Sequence, residues 1–112
     1  MTTLFEKIIR RELPADIVYE DELCLAFRDI NPQAPLHVLL VPKKPIDKLS
    51  GATAADQSLL GHLMLAAGKV ARQLGAGDTF RLVVNNGAEA GQSVFHLHLH
   101  ILAGRKLTWP PG

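Results

Sequence analysis

The sequence lacks the features that mark secreted or membrane-spanning proteins. It contains one cysteine, Cys24, so it has no intrachain disulfide framework and lacks the ligands of a cysteine-based zinc site. No apolar run approaches the roughly 18 residues that a membrane-spanning helix needs. Glu6 and Lys7 interrupt the apolar N-terminal stretch, which argues against a secretory signal. We therefore expect a cytoplasmic protein that has no membrane partner.

The sequence also lacks an excess of charge of either sign. Lys and Arg number 12 and Asp and Glu number 11, which gives a formal net charge of +1. This balance argues against a protein held to nucleic acid by neutralising phosphates. Aromatic residues make up only 5%, but 47% hydrophobic and 21% charged residues are ordinary globular values. A chain of 112 residues has room for one core, so we expect a single domain over residues 1–112.

Capping residues and apolar periodicity predict two helices. Each helix start is marked by a capping box, in which an acid follows a threonine by three residues: Thr3 with Glu6, and Thr53 with Asp56. The second helix is the longer, because apolar residues recur at i, i+3 and i+4 as far as Leu74. It has two interior glycines, which we expect to allow close packing against a sheet: Gly61 and Gly68.

Five apolar segments bounded by turn residues predict strands: residues 17–20, 23–27, 37–41, 80–85 and 94–102. The order is helix, three strands, helix, two strands, without regular β-α-β alternation. This order predicts an α+β fold, with an antiparallel sheet that has the helices gathered on one face. Such a sheet leaves an exposed edge. Residues 104–112 form a C-terminal tail.

The last predicted strand carries histidines at three alternating positions: His96, His98 and His100. Alternate residues of a strand face the same side, roughly 6.6 Å apart. We therefore expect the three imidazoles on one face and the intervening apolar residues in the core. His37 opens another strand and can join the same surface, whereas His62 lies on the long helix and is expected to have no functional role.

Converging imidazoles suit either metal binding or catalysis at an electrophile such as phosphorus. A metal site usually includes a carboxylate or thiolate, and the flanks of this strand hold neither. The preceding loop, residues 85–93, contains two glycines and ends in Gln92 and Ser93, so it offers backbone and side-chain donors to a phosphoryl group. The context favours phosphoryl chemistry. A metalloprotein that uses His37 with the three alternating histidines remains an alternative.

The segment His96-Leu-His-Leu-His-Ile-Leu102 fits the pattern His-φ-His-φ-His-φ-φ, in which φ is apolar, of the histidine triad (HIT) superfamily. Five other segments resemble its histidine triad nucleotide-binding (Hint) branch: residues 4–10, 25–35, 41–44, 91–93 and 109–112. The resemblance implies a HIT domain with a five-stranded antiparallel sheet and two helices, and a homodimer whose sheet continues across the interface. It also implies hydrolysis of purine nucleoside 5′-phosphoramidates and acyl- or aminoacyl-adenylates, which releases AMP or GMP without a cofactor.

The resemblance assigns residues to each role. His98 matches the nucleophile, which forms a nucleotidyl-histidine intermediate, and four residues match the other catalytic positions: His37, His96, His100 and Ser93. Contacts with the nucleotide or adenosine are implied for a larger set: Phe5, Ile8, Phe27, Asp29, Ile30, Asn85, Gly91, Gln92, Ser93, Val94, His98, His100 and Trp109. Within it, Asp29 matches the ribose-binding acid, and Trp109 matches a tryptophan that lies near the partner subunit's site.

Two physical arguments support His98 as the nucleophile. Neighbouring imidazoles resist joint protonation, which keeps the central ring neutral near pH 7. A backbone carbonyl that accepts the Nδ1 proton would leave Nε2 directed at phosphorus.

The chain departs from part of the superfamily at its N-terminus. Some members have a Cys-x-x-Cys pair that binds zinc where this chain has Thr3 and Glu6, so we expect no metal site. Two alternatives stay open, a dinucleoside polyphosphate hydrolase and a non-catalytic nucleotide-binding adaptor. The sequence identifies no protein partner.

Overall fold

A five-stranded antiparallel sheet and two α-helices form the fold, described over residues 2–112 in a computed structural model. The elements are α1 (Leu4–Ile9), β1 (Ile17–Glu20), β2 (Cys24–Arg28), β3 (Leu36–Pro42), α2 (Gln57–Gln73), β4 (Arg81–Val83) and β5 (Leu99–Ala103). The strand order is β1-β2-β3-β5-β4, so β1 and β4 are the edges. The predicted α+β class is confirmed. The predicted domain starts at Met1, which lies outside the described residues.

Both predicted capping boxes form, but only α1 begins directly after the threonine of its box, since α2 begins at Gln57, one 3₁₀ turn after Thr53. The Glu6 backbone N–H donates to Thr3 Oγ1 at 3.2 Å, and the Thr3 N–H donates back to Glu6 Oε1 at 3.4 Å. The Thr53 N–H donates to Asp56 Oδ2 at 2.9 Å, ahead of one 3₁₀ turn that leads into α2. These bonds satisfy donors that the first turn of a helix leaves without partners. Among residues 2–112, no helix is long and apolar enough to cross a membrane.

The helices pack on opposite faces of the sheet, so the expectation of one shared face is wrong. Helix α2 packs on a core to which β2, β3 and β5 contribute alternate residues: Cys24, Ala26, Val38, Leu40, Leu99 and Ile101. Helix α1 packs through Phe5 and Ile8 on the intervening residues of β2 and β3: Leu25, Phe27, Leu39 and Val41. Because β2 and β3 are apolar on both sides, each face needs a cover.

The strands around the histidines are shorter than predicted. Strand β4 ends at Val83, and β5 begins at Leu99. Leu99 is also the first residue of β5 that pairs with β3. Before Leu99 the chain bends, since His98 Nδ1 donates to the carbonyl of His96 and the His96 side chain bonds to Pro42 O. Strand alternation therefore holds only from Leu99 onward, and the prediction of three histidines on one strand is wrong.

The fifth histidine, His62, lies on α2 and faces away from the other four. Its Nε2 is 2.7 Å from Asp21 Oδ2, which also accepts from the Tyr19 hydroxyl at 2.8 Å. Cys24 lies next to this pair, and burial raises the pKa of its thiol to about 12. These hydrogen bonds connect α2 to the turn between β1 and β2.

The two interior glycines of α2 do not pack closely against the sheet, so that prediction is wrong. A Cβ atom at Gly61 would meet nothing within 4 Å, and one at Gly68 would reach only Arg72 Nη1 at 3.5 Å. Other residues of α2 form the face that contacts the sheet: Leu63, Ala66, Ala67, Val70 and Ala71.

We expect Gly61→Ala to raise the free energy of unfolding by about 0.5–1 kcal/mol, because alanine is the better helix former and Gly61 has room for a methyl group. Urea unfolding measures the change. Gly75→Ala is the matched control: Gly75 follows α2 with a φ of 83°, which an alanine adopts only under strain, so this variant is expected to lose stability. A lower midpoint for Gly61→Ala would contradict the prediction.

Candidate active site

A cavity of about 330 Å³ opens on the face of the sheet that α1 covers. It brings together nine of the predicted site residues: Phe5, Ile8, Phe27, Asp29, Ile30, Ser93, Val94, His98 and His100. Sequence reasoning missed six residues of the lining: Leu4, Leu13, Pro14, Ala15, Arg28 and Leu39. A proline such as Pro14 ends a helix but gives no sign that the chain after α1 returns along the cavity.

The cavity has apolar walls and a polar end. Phe5 packs edge-on against Phe27, with ring centroids 5.4 Å apart, and also against His98, at 4.9 Å. Ile30 stands at the rim and is 98% exposed. The imidazoles and the Asp29 carboxyl group lie at the polar end. An apolar slot that ends in a few polar groups suits a flat ring attached to a polar group.

The His98 ring is held in one tautomer. Its Nδ1 lies 2.7 Å from the carbonyl oxygen of His96, and since a carbonyl only accepts, Nδ1 is the donor. In the neutral ring, Nε2 therefore keeps a free lone pair. Burial lowers the pKa of His98, and the hydrogen bond to the His96 carbonyl opposes this shift only in part. The ring is neutral near pH 7 and its Nε2 is available as a nucleophile.

A chain of hydrogen bonds fixes the proton of His100. The Gln33 backbone N–H donates to His37 Nδ1 at 3.0 Å, so the proton of the neutral His37 ring is on Nε2. That Nε2 lies 2.9 Å from His100 Nδ1 and donates to it. His100 therefore carries its own proton on Nε2. The two neighbouring rings of this segment thus differ in role, since His98 Nε2 accepts and His100 Nε2 donates.

Burial and the neighbouring rings disfavour protonation of the imidazoles at this site. Burial is the largest cause that lowers the pKa of His100 to about 4, followed by the charges that His98 and His37 would carry. Burial also lowers the pKa of His37, against the opposing charge of Asp29. Asp29 Oδ2 is 3.5 Å from His37 Nε2, while Asp29 Oδ1 accepts the Asn31 N–H at 2.8 Å. The carboxylate thus both shapes its own turn and faces the imidazoles.

The structure changes the sequence argument about metal binding. Asp29, His37 and His100 place ligand atoms within 4.8 Å of one another, so a carboxylate does approach the histidines, from the loop after β2. The four-histidine site considered as an alternative is not formed in the described chain, because the His96 ring bonds to Pro42 O. A cation between His37 and His100 would replace the hydrogen bond that joins them.

His96 lies outside the cavity lining. It is 1% exposed, and its Nε2 donates to Pro42 O at 2.7 Å. Its Nδ1 is buried and has no hydrogen-bond partner among residues 2–112. The ring bonds to the last residue of β3, just beyond the β3–β5 pairing. This contact fixes the position of the His96 carbonyl, to which His98 donates.

Five further predicted residues also lie outside the lining of this cavity: His37, Asn85, Gly91, Gln92 and Trp109. Gln92 is 3% exposed, accepts the Gly87 N–H, and donates to Asp47 O and Val94 O, so its amide holds the loop together. Gly91 has a φ of 102°, and a Cβ atom there would approach Asn85 Nδ2 to 3.4 Å. Trp109 is 82% exposed on the C-terminal tail.

The lowered pKa values of His37, His98 and His100 predict that acid destabilises the fold. For His100, the unfolded chain binds more protons than the folded one between the ordinary pKa of 6.5 and the folded value of about 4. The free energy of unfolding therefore falls as pH falls through this window. We expect His100→Gln, which removes one of these groups, to lose less stability on acidification. Urea unfolding near neutral pH and near the lower end of the window tests this, and an equal loss in both proteins would contradict it.

Comparison with known proteins places these residues in context. The HIT domain family model matches residues 10–107. The chain is 71% identical over 110 residues to an uncharacterized HIT-like protein of Synechocystis sp., covering 98% of this chain and 96% of that protein. It superposes with a TM-score of 0.96 on a HIT family hydrolase from Legionella pneumophila, at 46% identity, covering 99% of this chain and all of that one. A histidine triad nucleotide-binding protein from Candida albicans gives a TM-score of 0.83 at 28% identity, covering 97% of this chain and 83% of that one.

Proposed function

The chain belongs to the HIT domain family, and from this premise we propose that it hydrolyses purine nucleoside 5′-phosphoramidates and acyl- or aminoacyl-adenylates, releasing a nucleoside monophosphate. One observation carries the proposal. His98 Nε2 has a free lone pair beside His100 Nε2–H, with the two ring centroids 5.1 Å apart, at the polar end of an apolar cavity. A nucleophile next to a hydrogen-bond donor is the pair that transfer of a phosphoryl group needs.

The proposed reaction has two displacements at phosphorus. In the first, His98 Nε2 forms a bond to phosphorus while the bond from phosphorus to the leaving nitrogen or oxygen breaks. The leaving group takes the electron pair, and an amine also takes a proton, which we assign to solvent through the Ser93 hydroxyl. In the second, water attacks phosphorus, loses a proton to solvent and displaces His98, which recovers its lone pair. One water is consumed, and the nucleoside monophosphate is released.

We assign binding of the nucleoside to the apolar part of the cavity. The base lies between α1 and the end of β2, against Phe5, Ile8, Phe27 and Ile30, with Val94 at the side. The Asp29 carboxylate accepts the ribose hydroxyl groups, because a carboxylate has enough lone pairs for both in addition to its own turn. The products that fit this assignment are AMP, GMP and related purine nucleotides.

Other residues act on this site through their neighbours. We propose that His96 is a positioning residue, since its ring anchors the segment whose carbonyl orients His98. Gln92 and Gly91 hold the loop from which Ser93 reaches the cavity. Asn85 borders His100 from the other side and is assigned to the phosphoryl oxygens.

We also propose a cytoplasmic homodimer. Strand β4 is an edge of the sheet, so pairing with β4 of a second copy would continue the sheet and cover unpaired backbone groups. The exposed Trp109 on the tail would then lie near the partner's cavity. The single buried cysteine suits a reducing compartment.

Steady-state hydrolysis of a fluorogenic adenosine 5′-phosphoramidate and of a diadenosine polyphosphate, with AMP binding measured in parallel, tests the proposed activity. We expect much faster turnover of the phosphoramidate. Comparable turnover of the two substrates would favour a dinucleoside polyphosphate hydrolase. AMP binding without turnover of either substrate would overturn the proposal in favour of a nucleotide-binding adaptor.

A further inference from the structure

A second cavity, of about 230 Å³, lies beside the first on the same face of the sheet. Both cavities are bordered by His100, and the second continues past His37 to the edge strand and the C-terminal tail. Arg81 on β4 pairs with Leu102, two residues along β5 from His100. A residue opposite Leu102 shares the face of His100, so the Arg81 side chain continues the row of imidazoles toward the edge.

Two arginines border this second cavity, Arg81 and Arg105, and no acidic residue lines it. Three other arginines form ion pairs with acidic residues: Arg10, Arg11 and Arg28. In the part of the chain that the structure describes, neither Arg81 nor Arg105 has a carboxylate within ion-pair distance. The cavity therefore has a local positive charge that the chain itself does not neutralise.

Backbone carbonyls hold both guanidinium groups in place. Arg81 Nη2 donates to Thr108 O at 2.9 Å. Arg105 donates through Nε to Gln33 O at 3.0 Å and through Nη1 to Lys106 O at 3.1 Å. A guanidinium has five N–H donors, so each group keeps donors that no acceptor among residues 2–112 uses. Fixed guanidinium groups with spare donors are suited to a carboxylate or a phosphate.

We propose that Arg81 and Arg105 form a subsite for a leaving group that carries a free carboxylate. This inference rests on the proposed function, in which the nucleoside fills the first cavity and phosphorus lies at His98 and His100. The leaving group then lies next to the second cavity, which begins on the other side of His100. Among the proposed substrates, the charge of the subsite favours amino acid phosphoramidates over aminoacyl-adenylates. An amino acid bonded to phosphorus through its nitrogen keeps its carboxylate, whereas an aminoacyl-adenylate presents an ammonium group, which two guanidinium groups bind less well.

The test compares two adenosine 5′-phosphoramidates whose leaving amines are β-alanine and β-alaninamide, which differ in charge but hardly in shape. The quantity measured is the ratio of their kcat/KM values. Because intrinsic reactivity is the same for every protein tested, a change in this ratio between variants reports recognition of the carboxylate. We expect the double variant Arg81→Gln, Arg105→Gln to lower the ratio about ten- to a hundredfold relative to wild type. An unchanged ratio would overturn the proposal.

Three controls keep the result interpretable. Arg72→Gln removes the same charge from α2, on the opposite face of the sheet, and is expected to leave the ratio unchanged. Arg81→Lys with Arg105→Lys keeps both charges and is expected to retain part of the selectivity. In wild type alone, the ratio is expected to fall as salt is added, because screening weakens an exposed charge–charge interaction. A ratio that is insensitive to salt would contradict the proposal even if the variants fold poorly.

The same experiment separates failure of this inference from failure of the proposed function. If wild type hydrolyses neither phosphoramidate, the proposed function fails. If it hydrolyses both and the Gln variants keep the wild-type ratio, only the carboxylate subsite is wrong. If the Gln variants slow hydrolysis of a diadenosine polyphosphate and leave the ratio unchanged, the two guanidinium groups bind phosphate, and the carboxylate assignment is overturned.

Discussion

His98→Ala is expected to lower kcat for an adenosine 5′-phosphoramidate by at least about 10⁴-fold, because the covalent route then has no nucleophile. Among residues 2–112, two imidazoles border the first cavity, and only His98 Nε2 has an unused lone pair there. His100 presents Nε2–H there, and His37 Nδ1 already accepts the Gln33 N–H. The remaining donors can still bind the phosphoryl group but cannot replace the bond to phosphorus.

Stopped-flow and steady-state assays with purified His98→Ala measure the loss, and AMP affinity shows whether the cavity survives. We expect AMP binding to change only severalfold, so that the loss falls on kcat. His62→Gln is the matched control, since His62 lies on α2 away from the cavity and pairs with Asp21. It is expected to retain turnover within about twofold. Near-normal turnover by His98→Ala would exclude His98 as the nucleophile.

The second large effect is expected at His100 and the residue that orients it. His100→Ala removes the donor to the phosphoryl oxygens, and loss of one such donor costs about 10²–10³ in kcat. His37→Ala is expected to cost about 10–10², because His100 Nδ1 loses its hydrogen-bond donor and the proton of the ring is no longer fixed on Nε2. Since His37 acts through His100, the double variant is expected to resemble His100→Ala alone.

A double-mutant cycle on kcat tests this dependence, and the ¹⁵N chemical shifts of His100 report which nitrogen carries the proton. His37→Gln supplies an amide N–H that can donate to His100 Nδ1, so it is expected to restore part of the rate lost in His37→Ala. KM is expected to stay close to wild type in each single variant. Independent, multiplicative losses at the two positions would show that His37 does not act by orienting His100.

Local sequence signals predicted the local structure well. Both capping boxes form as the Thr-x-x-acid spacing indicates, and α2 ends at Gln73, next to Leu74, where the apolar periodicity ends. Leu99 and Ile101, which alternate with partly exposed residues along β5, are both buried. These features depend on residues within a few positions of one another, and short-range geometry decides them.

Long-range contacts account for what the sequence did not predict. The hydrogen bond from His37 to His100 joins residues 63 positions apart, and the loop that brings the Gln33 N–H to His37 has no periodicity. The bend before Leu99 depends on the carbonyl of Pro42, on another strand. Helix α1 covers the face opposite α2 because β2 and β3 are apolar on both sides, which alternation rules for half-buried strands do not anticipate.

The hydrogen bond from His98 Nδ1 to the His96 carbonyl also affects how long the proposed nucleotidyl-histidine intermediate would persist. Once Nε2 is bonded to phosphorus, the ring is a cation, and a carbonyl is a neutral dipole that stabilises it only partially. A carboxylate in that place would have formed an ion pair with the cation and deepened the energy well of the intermediate. With the carbonyl, neutral imidazole remains a good leaving group, so in the proposed mechanism attack by water regenerates the enzyme without a deep energy well between the two displacements.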